Sequence, residues 1–108
     1  MYTGTIIKES LENPEILKSF DVVSESYSED VSWHLYNVVV SREQIDELSI
    51  VLKKGTWYAH FWYGDNVVVA FKNKTFEFSH KDRKSWQPAT EYGKSIGIPE
   101  EQLDFPIN

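Results

Sequence analysis

Apolar residues recur along this chain at two spacings, and the change from one to the other marks out the elements. Thr5, Ile6 and Ile7 within Thr3–Lys8 predict a first strand. Asn13-Pro14 opens a helix, with Asn as cap and Pro at the first helical position. Ile16, Leu17 and Phe20 give it one apolar side, and only a short helix fits before Asp21-Val22-Val23. Ser24–Asp30 is polar and acidic, with Tyr27 its one anchor. It reads as an edge strand or a mobile loop, and its composition favours the loop. Val31–Val40 is a stronger strand. One parity carries Trp33, Leu35, Asn37 and Val39; the other carries His34, Tyr36, Val38 and Val40. Apolar groups on both parities predict a central strand, partly covered on each side.

The spacing then lengthens. Ser41-Arg42-Glu43-Gln44 fits a capping box, and Ile45, Leu48 and Leu52 follow at intervals of three and four. Lys53 and Lys54 suit a helix C-terminus and Gly55 a left-handed stop, so the pattern predicts a helix over about 42–54. Thr56–Tyr63 returns to strand spacing and ends at the turn signal Gly64-Asp65-Asn66. Val67–Phe71 runs back as its antiparallel partner, Asn73 marks a second turn, and Thr75–Phe78 completes a three-stranded meander. Pro88 suits the start of a second helix over about 88–96, with Ala89, Tyr92 and Ile96 on one side and Gly97 at its end. Glu100–Gln102 suits a last helical turn, after which Leu103, Phe105 and Ile107 tie the tail to the domain.

The order of elements predicts an α+β fold. It is a twisted, mainly antiparallel sheet of four to six strands with two main helices packed on one face. With 108 residues the chain is expected to form a single small domain spanning 1–108. A ferredoxin-like topology is compatible with the order but not fixed by it. No glycine-rich loop of the dinucleotide kind is present.

Composition narrows the chemistry. There is no cysteine, which excludes disulfides, thiolate nucleophiles and Cys-bound zinc and fits a reducing compartment. The start, MYTGTIIKES, has no basic region followed by a long apolar run, so no signal peptide is expected. The longest apolar stretch, Val67–Phe71, is far short of the roughly 20 residues that cross a bilayer. A cytoplasmic location and no membrane partner are the resulting expectations. The acidic net charge of −6 argues against general affinity for nucleic acid. The charge is uneven: residues 1–30 are acidic, and Lys72, Lys74, Lys81, Arg83 and Lys84 form a basic stretch. Lys81, Arg83 and Lys84 are candidates for an anion site, set against the plainer reading of a solvated surface.

The run TWYAHFWYGDN at 56–66 asks for an explanation. Period two sends Trp57, Ala59, Phe61 and Tyr63 one way, and Thr56, Tyr58, His60 and Trp62 the other. The first set reads as core. The second is amphipathic, and if its face is partly open it can stack a ring or anchor a protein partner. Tyr36 and His34 share one parity on the other strong strand and are candidates to join it. The competing expectation is that a helix covers this face and the polar heads find bonds inside. Trp86 follows the basic HKDRKS segment, where it either clamps a base or phosphate or staples the second helix to the core.

Catalytic signals are sparse. His34, His60 and His80 show no HxH or HExxH pairing, so no metal site is expected. No serine elbow and no phosphate loop are present. Catalysis would need at least two of His34, His60, Glu77 and Asp65 within hydrogen-bond reach. No cofactor is implied. The class that best fits is a non-catalytic protein-interaction domain using an aromatic sheet face or a strand edge, with a protein or a second copy of the chain as partner. The alternative is a small-molecule or nucleotide pocket near Tyr58, His60, Trp62 and Trp86.

Overall fold

The computed structural model of the chain describes residues 1–105. Strands β1 (Tyr2–Ile7), β2 (Asp21–Ser28) and β3 (Trp33–Val40) precede helix α1 (Arg42–Val51). Strands β4 (Ala59–Tyr63), β5 (Asn66–Phe71) and β6 (Lys74–Ser79) follow, then helix α2 (Gln87–Ser95). Short 3-10 segments lie at Lys8–Ser10, Pro14–Ser19, Arg83–Trp86 and Glu100–Gln102. The six strands form one sheet in the order β2-β3-β1-β4-β5-β6, and every pairing is antiparallel. The fold is α+β with two main helices on the sheet, as the order of elements predicts.

Local chemistry explains most boundaries. Ser41 accepts the Gln44 backbone N–H at 3.1 Å, and the Gln44 side chain accepts the Ser41 N–H at 2.9 Å, so the capping box is complete. The helix stops at Val51, earlier than its pattern suggests. Leu52 leaves it to make a bridge with Leu11, which puts Lys53, Lys54 and Gly55 in the following loop. Asn13 accepts the Glu15 N–H, but only a 3-10 segment follows. Asn73 turns the β5–β6 hairpin at φ 61°, where Asn is among the few tolerated side chains. Ser24–Ser28 is the edge strand of the two readings offered, not the loop. It extends β2 along β3 past a bulge at Val23.

The helices lie on opposite faces, which corrects the expectation of one covered face. On the first face α1 and the segment Leu11–Phe20 enclose Ile6, Val38, Val40, Phe61, Val68 and Ala70. On the second, α2 and the chain through Phe105 enclose Val67, Val69, Phe71, Phe78 and Trp86. The apolar run VVVAF is buried on both sides because each parity feeds a different core. Ile107 falls outside the described residues.

The second face is covered unevenly. Over β4, β5 and β6 it lies beneath α2 and the C-terminal segment. Over β1, β3 and β2 it presents Thr3, Thr5, Asn37, Ser24 and Ser26 to solvent, with Ile7, Leu35 and Val39 partly exposed. The strand expected over Val31–Val40 is β3, Trp33–Val40, and it is covered on one side and largely open on the other.

Candidate functional site

The site begins at a seam. β1 and β3 stay paired from Tyr2↔Val40 to Ile7↔Leu35, but β1 and β4 share only Thr3↔Trp62 and Gly4↔Phe61. Gly4 makes that approach possible. A Cβ there would sit 2.3 Å from Phe61 Cδ1 and 2.7 Å from the His60 carbonyl oxygen. Beyond Gly4 the strands part. The chain closes the gap again at Leu11↔Leu52, where Lys53 N–H donates to Ser10 O at 2.8 Å and Glu12 N–H to Val51 O at 2.7 Å. The sheet thus opens as an eye between two fixed ends.

On the first face the eye is filled by Ile6, Leu11, Leu52 and Ala59, all buried. On the second it leaves a cleft of about 820 Å³, within the range of ligand-sized sites. Trp33 and Trp57 close one end, their rings 5.5 Å apart and inclined at 55°. Ile7 and Leu35 form apolar floor between them and the polar strip on β1. Tyr58 is the wall on the α2 side. Its ring packs on Phe71 and Phe105, and its hydroxyl donates to the Gln102 carbonyl. Burial, with the Asp104 carboxylate, pushes the Tyr58 phenol above its usual range and keeps it protonated. Across the floor Thr5 Oγ1 donates to Asn37 Oδ1 at 2.7 Å, and Asn37 Nδ2 donates to Ser24 Oγ at 2.8 Å. None of the cleft's described lining residues is Asp, Glu, Lys or Arg, although such residues make up 26% of the chain.

Of the residues singled out in the sequence, the structure brings Tyr58 and His60 to this cleft. Trp62 lies on the same face, half-buried, its ring 5.5 Å from that of His60. Tyr36 and His34 do not join them. Pairing of Ile6 with Tyr36 places that parity on the first face, and the opposite parity, Trp33 and Leu35, lines the cleft. Trp57, expected in the core with Phe61, precedes β4 and is half-buried at the cleft. Tyr63, from the same set, is 67% exposed beside Tyr2.

Trp86 is 3% exposed and belongs to the second core, so the pocket sketched around it together with Tyr58, His60 and Trp62 does not assemble. Its indole N–H donates to Ser79 O at 3.0 Å, stapling the start of α2 to β6. Lys81, Arg83 and Lys84 do not converge on an anion. Lys81 pairs with Asp65 at 3.1 Å, Arg83 stacks on the Trp86 ring at 4.0 Å, and Lys84 is exposed. A second depression of about 560 Å³ touches Arg83 and Lys94, but Glu91, Glu100, Glu101 and Asp104 outnumber them.

The four candidate catalytic groups stay apart. Glu77 pairs with Arg42 at 3.3 Å and accepts from Asn66 at 2.9 Å, and Asp65 is held by Lys81. His34 and His60 are on opposite faces. His34 instead meets Glu9, which accepts its backbone N–H at 2.7 Å and lies 2.6 Å from its Nδ1. Burial works to raise the Glu9 carboxyl, but the His34 backbone and ring outweigh it and hold the group below the usual range. Burial followed by Glu25 raises the Tyr36 phenol. Among the described residues no group of three His, Asp or Glu is arranged to hold a metal ion, and no helix is long and apolar enough to cross a membrane.

Sequence reasoning missed Trp33, Trp57, Leu35 and Thr5. Their alternation was visible, but which parity shares a face with β4 depends on β1 lying between β3 and β4, and no local spacing encodes that. Comparison with protein-family models, curated proteins and solved structures gave no match.

Proposed function

We propose that this is a non-catalytic interaction domain whose binding surface is the open half of the second sheet face, with the cleft at the β1–β4 split as its anchor pocket for a protein partner. One observation carries the reading. The face is sealed over β4–β6 and left open over β1–β3, and the boundary between the two is a cleft edged by Trp33, Trp57 and Tyr58. Clustered aromatic side chains beside a charge-poor floor are the composition of an interface centre. The scattered pairings of His34, Glu77 and Asp65 favour binding over catalysis.

The test is a selection of binders from a displayed random-peptide library against the full chain, mapped by amide shifts of labelled protein. Shifts confined to Thr5, Ile7, Leu35, Ala59 and the Trp33 and Trp57 indoles, lost with Trp33→Ala plus Trp57→Ala, are expected. Binders that map to the β2 or β6 edge, or survive the double replacement, would overturn the assignment.

A further inference from the structure

The sheet ends in two edges, β2 and β6, and they are finished differently. His80 N–H donates to Asp65 O at 2.7 Å, and antiparallel alternation then turns the backbone groups of Thr75, Glu77 and Ser79 outward. Ser79 is closed off: its N–H donates to Ser85 Oγ at 3.2 Å, and its carbonyl accepts the Trp86 indole N–H at 3.0 Å. What remains on β6 is the short run Thr75–Glu77, between that cap and the Asn73 turn.

Nothing of the kind protects β2. Among the described residues, no side chain or loop bonds to the backbone of Ser24–Ser28, whose one neighbouring strand is β3. The bulge at Val23 ends regular pairing on one side and the loop at Glu29 ends it on the other, so Ser24–Ser28 is an unbroken edge. All of it but Ser28 is exposed, and the large side chains of Val23, Tyr27 and Val31 stand exposed on or beside it. An edge of this kind is a template for another strand.

The sequence of the edge fits a copy of itself at one alignment. A two-fold axis perpendicular to the sheet relates antiparallel neighbours, and directly opposed side chains share a face. Two copies of β2 can therefore meet only with the axis on a residue, and the charges choose which. Centring on Glu25 sets Glu25 against itself and Asp21 against Glu29, and centring on Tyr27 sets Glu25 against Glu29. Like charges directly opposed are destabilising. Centring on Ser24 or earlier carries the pairing across the bulge, and centring on Ser28 runs it into the loop. Centring on Ser26 sets Ser26 opposite Ser26, Ser24 opposite Ser28, and Glu25 opposite Tyr27. Glu25 is the one charged residue in Ser24–Ser28, and there it meets a phenol, a hydrogen-bond donor, twice by symmetry. The capped β6 edge gives no second place to add, so the pairing closes at two copies.

We propose that a second copy of this chain pairs with the first along β2, antiparallel and centred on Ser26, joining two six-stranded sheets into one. With the axis perpendicular to the sheet, both copies turn their open second faces to the same side. The pairing goes beyond the cleft and stands whether or not the cleft binds. Its paired segments span about 17 Å, short for a permanent interface, so it is a concentration-dependent equilibrium.

The chain has no cysteine, so a single introduced thiol reports its neighbour across the axis without interference. Ser24→Cys, Ser26→Cys and Ser28→Cys are made in the full chain and treated with a short thiol–thiol cross-linker, alone and mixed. Ser26→Cys should link to itself, its opposed Cβ atoms being about 5 Å apart. Ser24→Cys or Ser28→Cys alone should link at least about tenfold less, since each lies about 14 Å along the strand from its own copy. Mixed together, those two should link to each other. Sedimentation equilibrium of the unaltered chain should show a mass that rises with concentration from one chain toward two and no further. Salt should tighten the association by screening the acids of the two edges. Ser26→Arg, an exposed change that sets two cations face to face, should weaken it at least about tenfold while the amide spectrum of β4–β6 stays unchanged.

A chain that stays monomeric up to millimolar concentration, or a mass that climbs beyond two copies, would overturn the proposal. So would a dimer that fails to link at Ser26→Cys, equal linking at all three positions, or association that loosens as salt is added.

Discussion

The two halves of the second sheet face are built from the same kind of strand and end in different states. Over β4–β6, Val67, Val69, Phe71 and Phe78 are buried beneath Trp86, Ala89, Leu103 and Phe105. Over β1–β3, the equivalent outward positions are Thr3, Thr5, Asn37 and Val39, with Ser24 and Ser26 beyond them on β2. The change in composition occurs at one seam, between Trp62 and Thr3. Aromatic residues on the covered side act as packing, since each touches others in a closed cluster. Those at the seam, Trp33, Trp57 and Tyr58, have packed neighbours on one flank and the cleft on the other. A count of aromatic residues therefore says little about binding; the location of the uncovered boundary says more.

The largest effect should come from the covered half. Trp86→Ala removes a buried ring that staples α2 to β6 and should cost about 3–5 kcal/mol of stability, read by urea unfolding. A loss below about 1 kcal/mol would show that the two halves are less different than the packing implies. Next comes the seam itself. Gly4→Ala forces a methyl against Phe61 and the His60 carbonyl, and should cost about 1–3 kcal/mol with amide shifts spreading from β1 into β4. A neutral result would mean that the strands part easily at that point.

In the open half, Trp57→Ala should change stability by no more than about 1 kcal/mol while abolishing the anchor pocket, so peptide binding falls and the unfolding midpoint barely moves. Equal losses of stability and binding would make Trp57 a packing residue like Trp86.

The smallest effect concerns pH. Glu9 has a folded pKa below its unfolded one, so its stabilising contribution is present above the ordinary carboxylate range and lost as pH falls through the folded value. The stability difference between wild type and Glu9→Gln should shrink as unfolding is repeated from neutral pH into acid. A difference that stays constant would separate Glu9 from that loss.

Local chemistry made much of the fold legible. The Ser41–Gln44 box and the Asn73 turn each follow from residues a few positions apart. The positions of the two helices on opposite faces were not legible, because β5 supplies apolar side chains to both and the pattern does not say which helix takes which. Nor was the assignment of Tyr36 and His34. Their parity was correctly separated from Trp33 and Leu35, yet the choice between the two sets rests on the insertion of β1 into the middle of the sheet. The cleft depends on the same insertion and on the absence of a side chain at Gly4. In sequence, that glycine looks like any other in a strand.

The most direct measurement is the exchange with water of the four indole N–H signals in the labelled full chain, with and without a peptide selected for binding. The expected result is that Trp86 exchanges slowest, held by Ser79 O inside the covered half, while Trp33 and Trp57 exchange fast and are the two that slow and shift when the peptide is added. Slow exchange at Trp33 and Trp57 in the free protein, with no response to the peptide, would mean that the second half of the face is closed as well, and would contradict the assignment of a binding cleft there.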